Sequence, residues 1–395
     1  MTWGDASGVP PKPPALRAGS EFRPSASAEG CCGCLGAQGR RAFLASLLGL
    51  ISAACAGPGR EAAERRVHDL GAQATNAVGA QPVFDLHAHP GGFTRAATGS
   101  LPTKALDEMV AGGVDAAFFA AVSDGLVIRR EPGGVRNFRD PAPGELYRNT
   151  LGQLERVRAR AREGHVHVLR AAGDLAVART RGLRAALLAL EGGDALEGRV
   201  ERVEEFHGLG VRSIQLMHYR INELGDIQTA PTRHGRLTDA GAAVVAEMNR
   251  LGMIVDGAHA ARQTLGDILE VSRAPIVISH TGPAALRRSR RHLTDAQMRA
   301  VAAKGGVIGI WPMTSPSATD MDALVRELLY VREVVGADHV GIGTDMAGLS
   351  TFTSMPTYRE FAPLPAALLA AGLADADLRK MLGANVLRVF EVAGG

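Results

Sequence analysis

Beyond about Gly57 the chain contains no cysteine; its four, Cys31, Cys32, Cys34 and Cys55, all stand in the first 55 residues. That absence excludes disulfides and thiolate metal sites from the body of the protein. An excess of charge of one sign is lacking too. Lys and Arg number 44 against 41 Asp and Glu, and no basic run is interleaved with aromatics, so nothing calls for nucleic acid. The apolar stretch that ends near Ala56 is roughly 15 residues long, short of the about 20 that a membrane-spanning helix needs. No glycine-rich phosphate loop follows the first predicted strand, which argues against an open, doubly wound sheet. What is present is 46% hydrophobic residues in a chain of 395, ample for one large core. Single α/β barrels reach such sizes.

The N-terminus reads as an address. Residues 1–38 are rich in Pro, Gly, Ser and Ala without apolar period, a disordered leader. The Cys31-Cys32-Gly33-Cys34 cluster lacks a downstream Cys or His at finger spacing and belongs to that leader. Residues 39–56 follow, with Arg40-Arg41, then Phe43-Leu44 and the short apolar run, a twin-arginine-type export signal. Ser52-Ala53-Ala54-Cys55 resembles a lipoprotein cleavage box with Ser at its first position, which makes Cys55 a candidate for a lipid anchor. Residues 57–81 form a linker or helix, and 82–395 the folded domain. The expected location is outside the cytoplasmic membrane, periplasmic or anchored on its outer side.

Short apolar runs near 83–87, 115–121, 184–190, 211–217, 253–257, 275–279, 306–311 and 339–344 predict buried parallel strands, because they are nearly continuous rather than alternating. Helical stretches separate them. Thr238 caps one, Thr294 to Gln297 is a capping box, and 319–337 is amphipathic. The alternation predicts a (β/α)8 TIM-like barrel with C-terminal helices, two of them from about 357. A piece near 166–169 is a ninth strand or a helix end.

Chemistry-bearing residues cluster at strand exits. Of twelve histidines, His87, His89, His218, His259 and His280 stand at or just after predicted strand ends, as do Glu191 and Asp345. In a barrel those ends share one rim. His87-Ala88-His89 can aim two imidazoles at one cation if the strand end bends, as Pro90-Gly91-Gly92 permits. Glu191 can bridge two cations, and His259 and His280 can serve a second. Nitrogen and oxygen ligands suit zinc, with manganese, iron or cobalt as alternatives. Two such cations would hold a hydroxide and polarise a carbonyl. Asp256 reads as a supporting partner or a turn former, and the remaining histidines, His339 included, as structural.

These motifs resemble the membrane dipeptidase family of the amidohydrolase superfamily. The matching stretches are Phe84-Asp85-Leu86-His87, Leu190-Glu191-Gly192-Gly193, Met217-His218, Asp256-Gly257-Ala258-His259, Ile278-Ser279-His280, Ser289-Arg290-Arg291 and Gly341-Ile342-Gly343-Thr344-Asp345. The resemblance implies that His87 binds a first metal, Glu191 bridges, and His259 and His280 bind a second. It further implies that His218 contacts the substrate near the scissile carbonyl, Arg291 grips its C-terminal carboxylate, and Asp345 shuttles the proton. The family's first motif is usually His-x-Asp; here His89 replaces the acid, and Met346-Ala347 stands where a second acid is usual. The expectation is a zinc metallo-dipeptidase acting on a small dipeptide. Alternatives are a lactonase, deacetylase or amidase of the same superfamily, or a non-catalytic exported binding protein. A homodimer is the other partner considered.

Overall fold

The computed structural model describes residues 81–90, 103–313, 321–348 and 352–394. The expected leader and export signal, the cysteines, the linker up to residue 80 and Gly91-Gly92 lie outside the described residues. In chain order the elements are β1 (Phe84–Ala88), α1 (Thr103–Gly112), β2 (Ala116–Val122), β3 (Ile128–Glu131), β4 (Gly134–Asn137), α2 (Glu145–Arg162), β5 (Val166–Val168), α3 (Asp174–Thr180) and β6 (Arg184–Glu191). Then come α4 (Glu201–Gly208), β7 (Val211–Gln215), α5 (Asp239–Arg250), β8 (Ile254–Asp256), α6 (Arg262–Val271), β9 (Val277–Thr281), α7 (Asp295–Ala303), β10 (Val307–Ile310), α8 (Met321–Val335) and β11 (Val340–Ile342). The tail holds α9 (Leu364–Ala370), α10 (Asp375–Arg379) and α11 (Asn385–Gly394).

The strands pair in the order β2-β1-β11-β10-β9-β8-β7-β6, and β6 returns to β2, so the sheet closes as an eight-stranded parallel barrel. All eight predicted strands are in it. The piece near 166–169 is a ninth strand, β5, paired to the start of β6 outside the ring. The helix starts also follow their predicted chemistry. Thr238 accepts from the Gly241 amide at 3.0 Å, and Thr294 and Gln297 form the reciprocal box that satisfies two free donors.

Alternate strand residues divide between two apolar clusters, as the period of two demands. Phe84, Phe118, Leu187, Ile254, Val277 and Val307 fill the barrel interior together with Val386, Val389 and Phe390 of α11. The residues that alternate with them, such as Ala117, Phe119 and Leu188, pack outward against the helices. Each interior residue of β8, β9 and β10 lies at its strand's start, so α11 plugs the N-terminal end of the barrel. Asn385 ties the plug to the start of β11 through the Ala337 and Val340 carbonyls, at 2.7 and 2.8 Å.

The tail differs from the expected pair of helices. A 3-10 turn, Tyr358–Phe361, precedes α9, and a π-helical turn, Lys380–Ala384, joins α10 to α11. The π turn sits where Gly383 meets the chain entering β1: a Cβ there would stand 2.1 Å from the Pro82 carbonyl oxygen. No helix among the described residues is long and apolar enough to cross a membrane.

Phe390 is 2% exposed in the plug. Phe390→Ala is expected to cost about 3–5 kcal/mol, seen as a lower urea midpoint with an unchanged slope. An unshifted midpoint would show that the plug does not carry the interior.

Candidate active site

With the N-terminal end plugged by apolar side chains, polar groups collect at the other end. Strand periodicity alone would not aim them correctly. In β1, Leu86 belongs to the interior cluster and Ala88, two residues on, to the outer one. The inversion is a β-bulge: between Asp85 and Ala88 the strand advances three residues while β2 advances two. The bulge lets His87 and His89 both face the barrel axis. This bulge lies inside the strand, ahead of Pro90; Gly91 and Gly92, where a bend was foreseen, lie outside the described residues. Strand β9 repeats the device, with three steps from Ile278 to Thr281 against two from Ile308 to Ile310, and His280 sits in that bulge. β6 needs none, since Ala185, Leu187 and Ala189 face inward and Glu191 continues their parity.

All seven candidates at strand ends meet in one cup. The Glu191 carboxylate, 3% exposed, is its centre. Its Oε1 lies 3.3 Å from His87 Nε2 and from His218 Nε2, 3.6 Å from His259 Nε2 and 3.7 Å from His280 Nε2. Its Oε2 lies 3.4 Å from His89 Nε2, which is 3.3 Å from Asp345 Oδ1. Two sets of potential ligands share Glu191: His87 with His89, and His259 with His280. Within each set the ligand atoms lie within 4.8 Å of one another. The His259 and His280 Nε2 atoms face each other at 3.0 Å. Nε2 of His87 is buried with no hydrogen-bond partner.

Electrostatics follow from burying one carboxylate among five imidazoles. Burial alone would raise the Glu191 carboxyl, but His218 and His87 outweigh it and hold it well below the usual range. Burial depresses His259 and His280 far below the ordinary histidine value, helped by Arg291 and, for His280, by His87. Both are neutral imidazoles with a lone pair to give. For His89 the opposing burial is overcome by hydrogen bonds to Asp345 and Glu191, which lift it to about 10. For His218 it is overcome by Asp124 and Glu191, to about 8. Such a set holds protons in the absence of a cation and exchanges them for one.

Backbone strain gathers here as well. His259 (φ 66°), Asp345 (φ 50°) and Ala347 (φ 64°) are three of the four non-glycine residues with positive φ among the described residues. Gly348 completes that loop, since a Cβ there would stand 2.0 Å from Asp345 Oδ1.

Supporting residues hold the ring in place. His89 Nδ1 is 2.8 Å from the Ala120 carbonyl oxygen. A carbonyl only accepts, so Nδ1 carries the hydrogen and Nε2 is the donor atom toward the cup. Asp256, an open choice in the sequence, accepts from the Ala258 and Ser279 amides at 2.9 and 3.0 Å. It ties the His259 loop to β9. Asp124, not foreseen, is fully buried and accepts from His218 Nδ1 at 2.6 Å and from the Tyr219 and Arg220 amides at 3.0 Å. It stands two residues beyond β2, at a strand exit like the others, which is the signal that could have found it.

A cavity of about 950 Å³ opens above the cup. Its walls include the β3–β4 hairpin and Ser289 to Arg291. Arg291 is 6% exposed. Its guanidinium donates to Gln228 Oε1, lies 5.2 Å from the Trp311 ring centre, and leaves Nε unpartnered. No carboxylate among the described residues forms an ion pair with it. His292 and His339 bond to backbone carbonyls at 2.6 and 2.8 Å, as structural histidines do.

Comparison with known proteins follows the same outline. Residues 75–394 match the family model described as Membrane dipeptidase (Peptidase family M19). The chain is 30% identical over 269 residues to the dipeptidase tcpJ of Claviceps purpurea (strain 20.1), covering 66% of this chain and 63% of that protein. It is 32% identical over 212 residues to the dipeptidase verJ of Clonostachys rogersoniana, covering 52% of this chain and 55% of that protein. The match thus spans less than two thirds of the length of either curated relative. The crystal structure of the dipeptidase AC, a metallo peptidase, superposes with a TM-score of 0.65 at 25% identity, over 80% of this chain and 99% of that one.

Asp124→Ala would strand two half-buried amides and one buried imidazole nitrogen. It is expected to cost about 1–3 kcal/mol per stranded group at most, read as a lower melting temperature. Asp124→Asn keeps an acceptor oxygen and should recover part of the loss. Equal stability of all three proteins would show that the network is not formed.

Proposed function

The chain belongs to the membrane dipeptidase family, and from that premise we propose that it hydrolyses the amide bond of dipeptides with two divalent cations, zinc foremost. The observation that carries the reading is the pair of histidine sets sharing one buried carboxylate, Glu191. The donor set fits such ions. It is nitrogen and oxygen without thiolate, with two neutral imidazoles and an orphaned, buried His87 Nε2. His87 and His89 would hold one cation, His259 and His280 the other, and Glu191 both. Bound there, the cations would acidify a water and polarise the scissile carbonyl.

The chain's own residues divide the remaining work. Arg291, buried and without an acidic partner among the described residues, would take the substrate's C-terminal carboxylate, a planar fork meeting a planar anion. The Trp311 ring, 5.2 Å from its guanidinium carbon, helps fix it. His218, held by Asp124 and lifted to about 8, would present an Nε2 hydrogen to the carbonyl oxygen as negative charge grows on it. Asp345, lining the cavity at 9% exposure, would accept the proton of the attacking water and return it to the leaving amine. Its strained backbone aims the carboxylate inward, and Gly348 lets the loop close on it. We further propose export and a lipid at Cys55, on the support of Arg40-Arg41, the apolar run and the Ser52–Cys55 box alone.

Elemental analysis of the purified full chain is expected to find about two divalent cations per chain, and fewer in Glu191→Gln. With zinc, manganese or cobalt, a panel of L,L- and L,D-dipeptides should release free amino acids. Failure with every metal would end the peptidase reading. Arg291→Ala should lower kcat/KM for L-Ala-L-Ala at least about thirtyfold, the equivalent of ~2 kcal/mol for unpairing a buried charge. Undiminished turnover would remove carboxylate recognition from the account.

A further inference from the structure

The walls of the cavity carry charge of one sign. Arg130 and Arg136 reach it from the β3–β4 hairpin, and Arg290 and Arg291 from the segment after β9. The carboxylates on its lining are Glu191 and Asp345, and both sit among the imidazoles of the floor. Among the described residues, neither Arg136 nor Arg290 forms an ion pair, and no wall residue is acidic.

The hairpin holds this charge at a cost. Pro132 and Gly133 (φ +96°) make its two-residue turn, and the register sets Arg136 directly opposite Arg129. Like charges in that position destabilise an antiparallel pair. Arg129 is drawn off by Glu131 at 2.8 Å. Arg136 and Arg290 are exposed and form no ion pair with any described residue.

Space allows one. At about 950 Å³ the cavity is near the upper end of the roughly 300–1,000 Å³ of small-molecule sites. A dipeptide of small side chains would leave the mouth unfilled. Arg291, buried and without an acidic partner among the described residues, is suited to one carboxylate, so Arg136 and Arg290 remain for a second.

We propose that the cavity selects dipeptides bearing a second carboxylate, those with an aspartate or glutamate side chain. The proposal rests on the dipeptidase reading above and names the substrate class of the same site. Arg136 and Arg290 are the specificity-determining residues. They stand at the rim, where opposite charge raises the capture of substrate and is weakened by salt.

The test uses the full chain loaded with zinc and matched substrates: L-Ala-L-Glu with L-Ala-L-Gln, L-Glu-L-Ala with L-Gln-L-Ala, and L-Ala-L-Ala as reference. At least one acidic member should exceed its amide counterpart about tenfold in kcat/KM, the worth of two rim ion pairs. The ratio should fall toward one in about 0.5 M NaCl and in the double variant Arg136→Gln/Arg290→Gln. Equal rates for acid and amide in both pairs would overturn the proposal while turnover of L-Ala-L-Ala left the dipeptidase reading standing. Persistence of the ratio in the double variant would overturn it as well. Hydrolysis of no dipeptide at all would bring down both.

Discussion

A carboxylate buried among imidazoles is the constraint on which the rest depends. Glu191 is 3% exposed, with five histidine nitrogens within 3.7 Å of its oxygens. Taking an anion out of water costs several kcal/mol unless positive charge and hydrogen bonds meet it. In this protein protons on histidine or bound cations must supply that charge. The cup is therefore a place where cation binding and folding are linked, since whatever neutralises Glu191 also stabilises the closed barrel.

The barrel can hold such a group because it separates its two ends. Phe84, Phe118 and the α11 side chains close the N-terminal end with apolar bulk, leaving the opposite end to be polar. β-Bulges then break the strict alternation of the strands, and those in β1 and β9 carry histidines of the cup. Without them, consecutive imidazoles of His87-Ala88-His89 would follow the outward parity of their strand. Bulges spend ladder regularity, and the surrounding hydrogen bonds stabilise them. Asp85 takes the Thr344 amide at 2.8 Å and the Tyr358 hydroxyl at 2.7 Å, and Asp256 takes the Ser279 amide.

Much of this is legible in the chain alone, and for a physical reason. Strands buried on both faces are nearly continuous apolar runs, so a histidine or glutamate at the end of one stands out against its background. His87, His89, Glu191, His218, His259, His280 and Asp345 are found that way. The bulges are not, because one extra residue in a parallel pairing leaves no compositional mark. Asp124 escapes because Ser123-Asp124-Gly125 has the composition of an ordinary turn. Its partner His218 lies 94 positions away. The β3–β4 hairpin escapes because Ile128 to Asn137 is charged and mostly exposed, unlike the barrel strands. Arg291 is recognised only through its family resemblance; periodicity says nothing of a loop arginine that the fold buries.

His89 shows how one substitution redistributes the demands on its neighbours. An imidazole that donates Nδ1–H to the Ala120 carbonyl offers Nε2 as a neutral donor, where a carboxylate would bring negative charge. On that side of the cup the acids left on the cavity lining are Glu191, at 3.4 Å, and Asp345, at 3.3 Å from His89. The charge missing at position 89 leaves the whole cavity more positive, and an anionic substrate is the partner that such a cavity would attract.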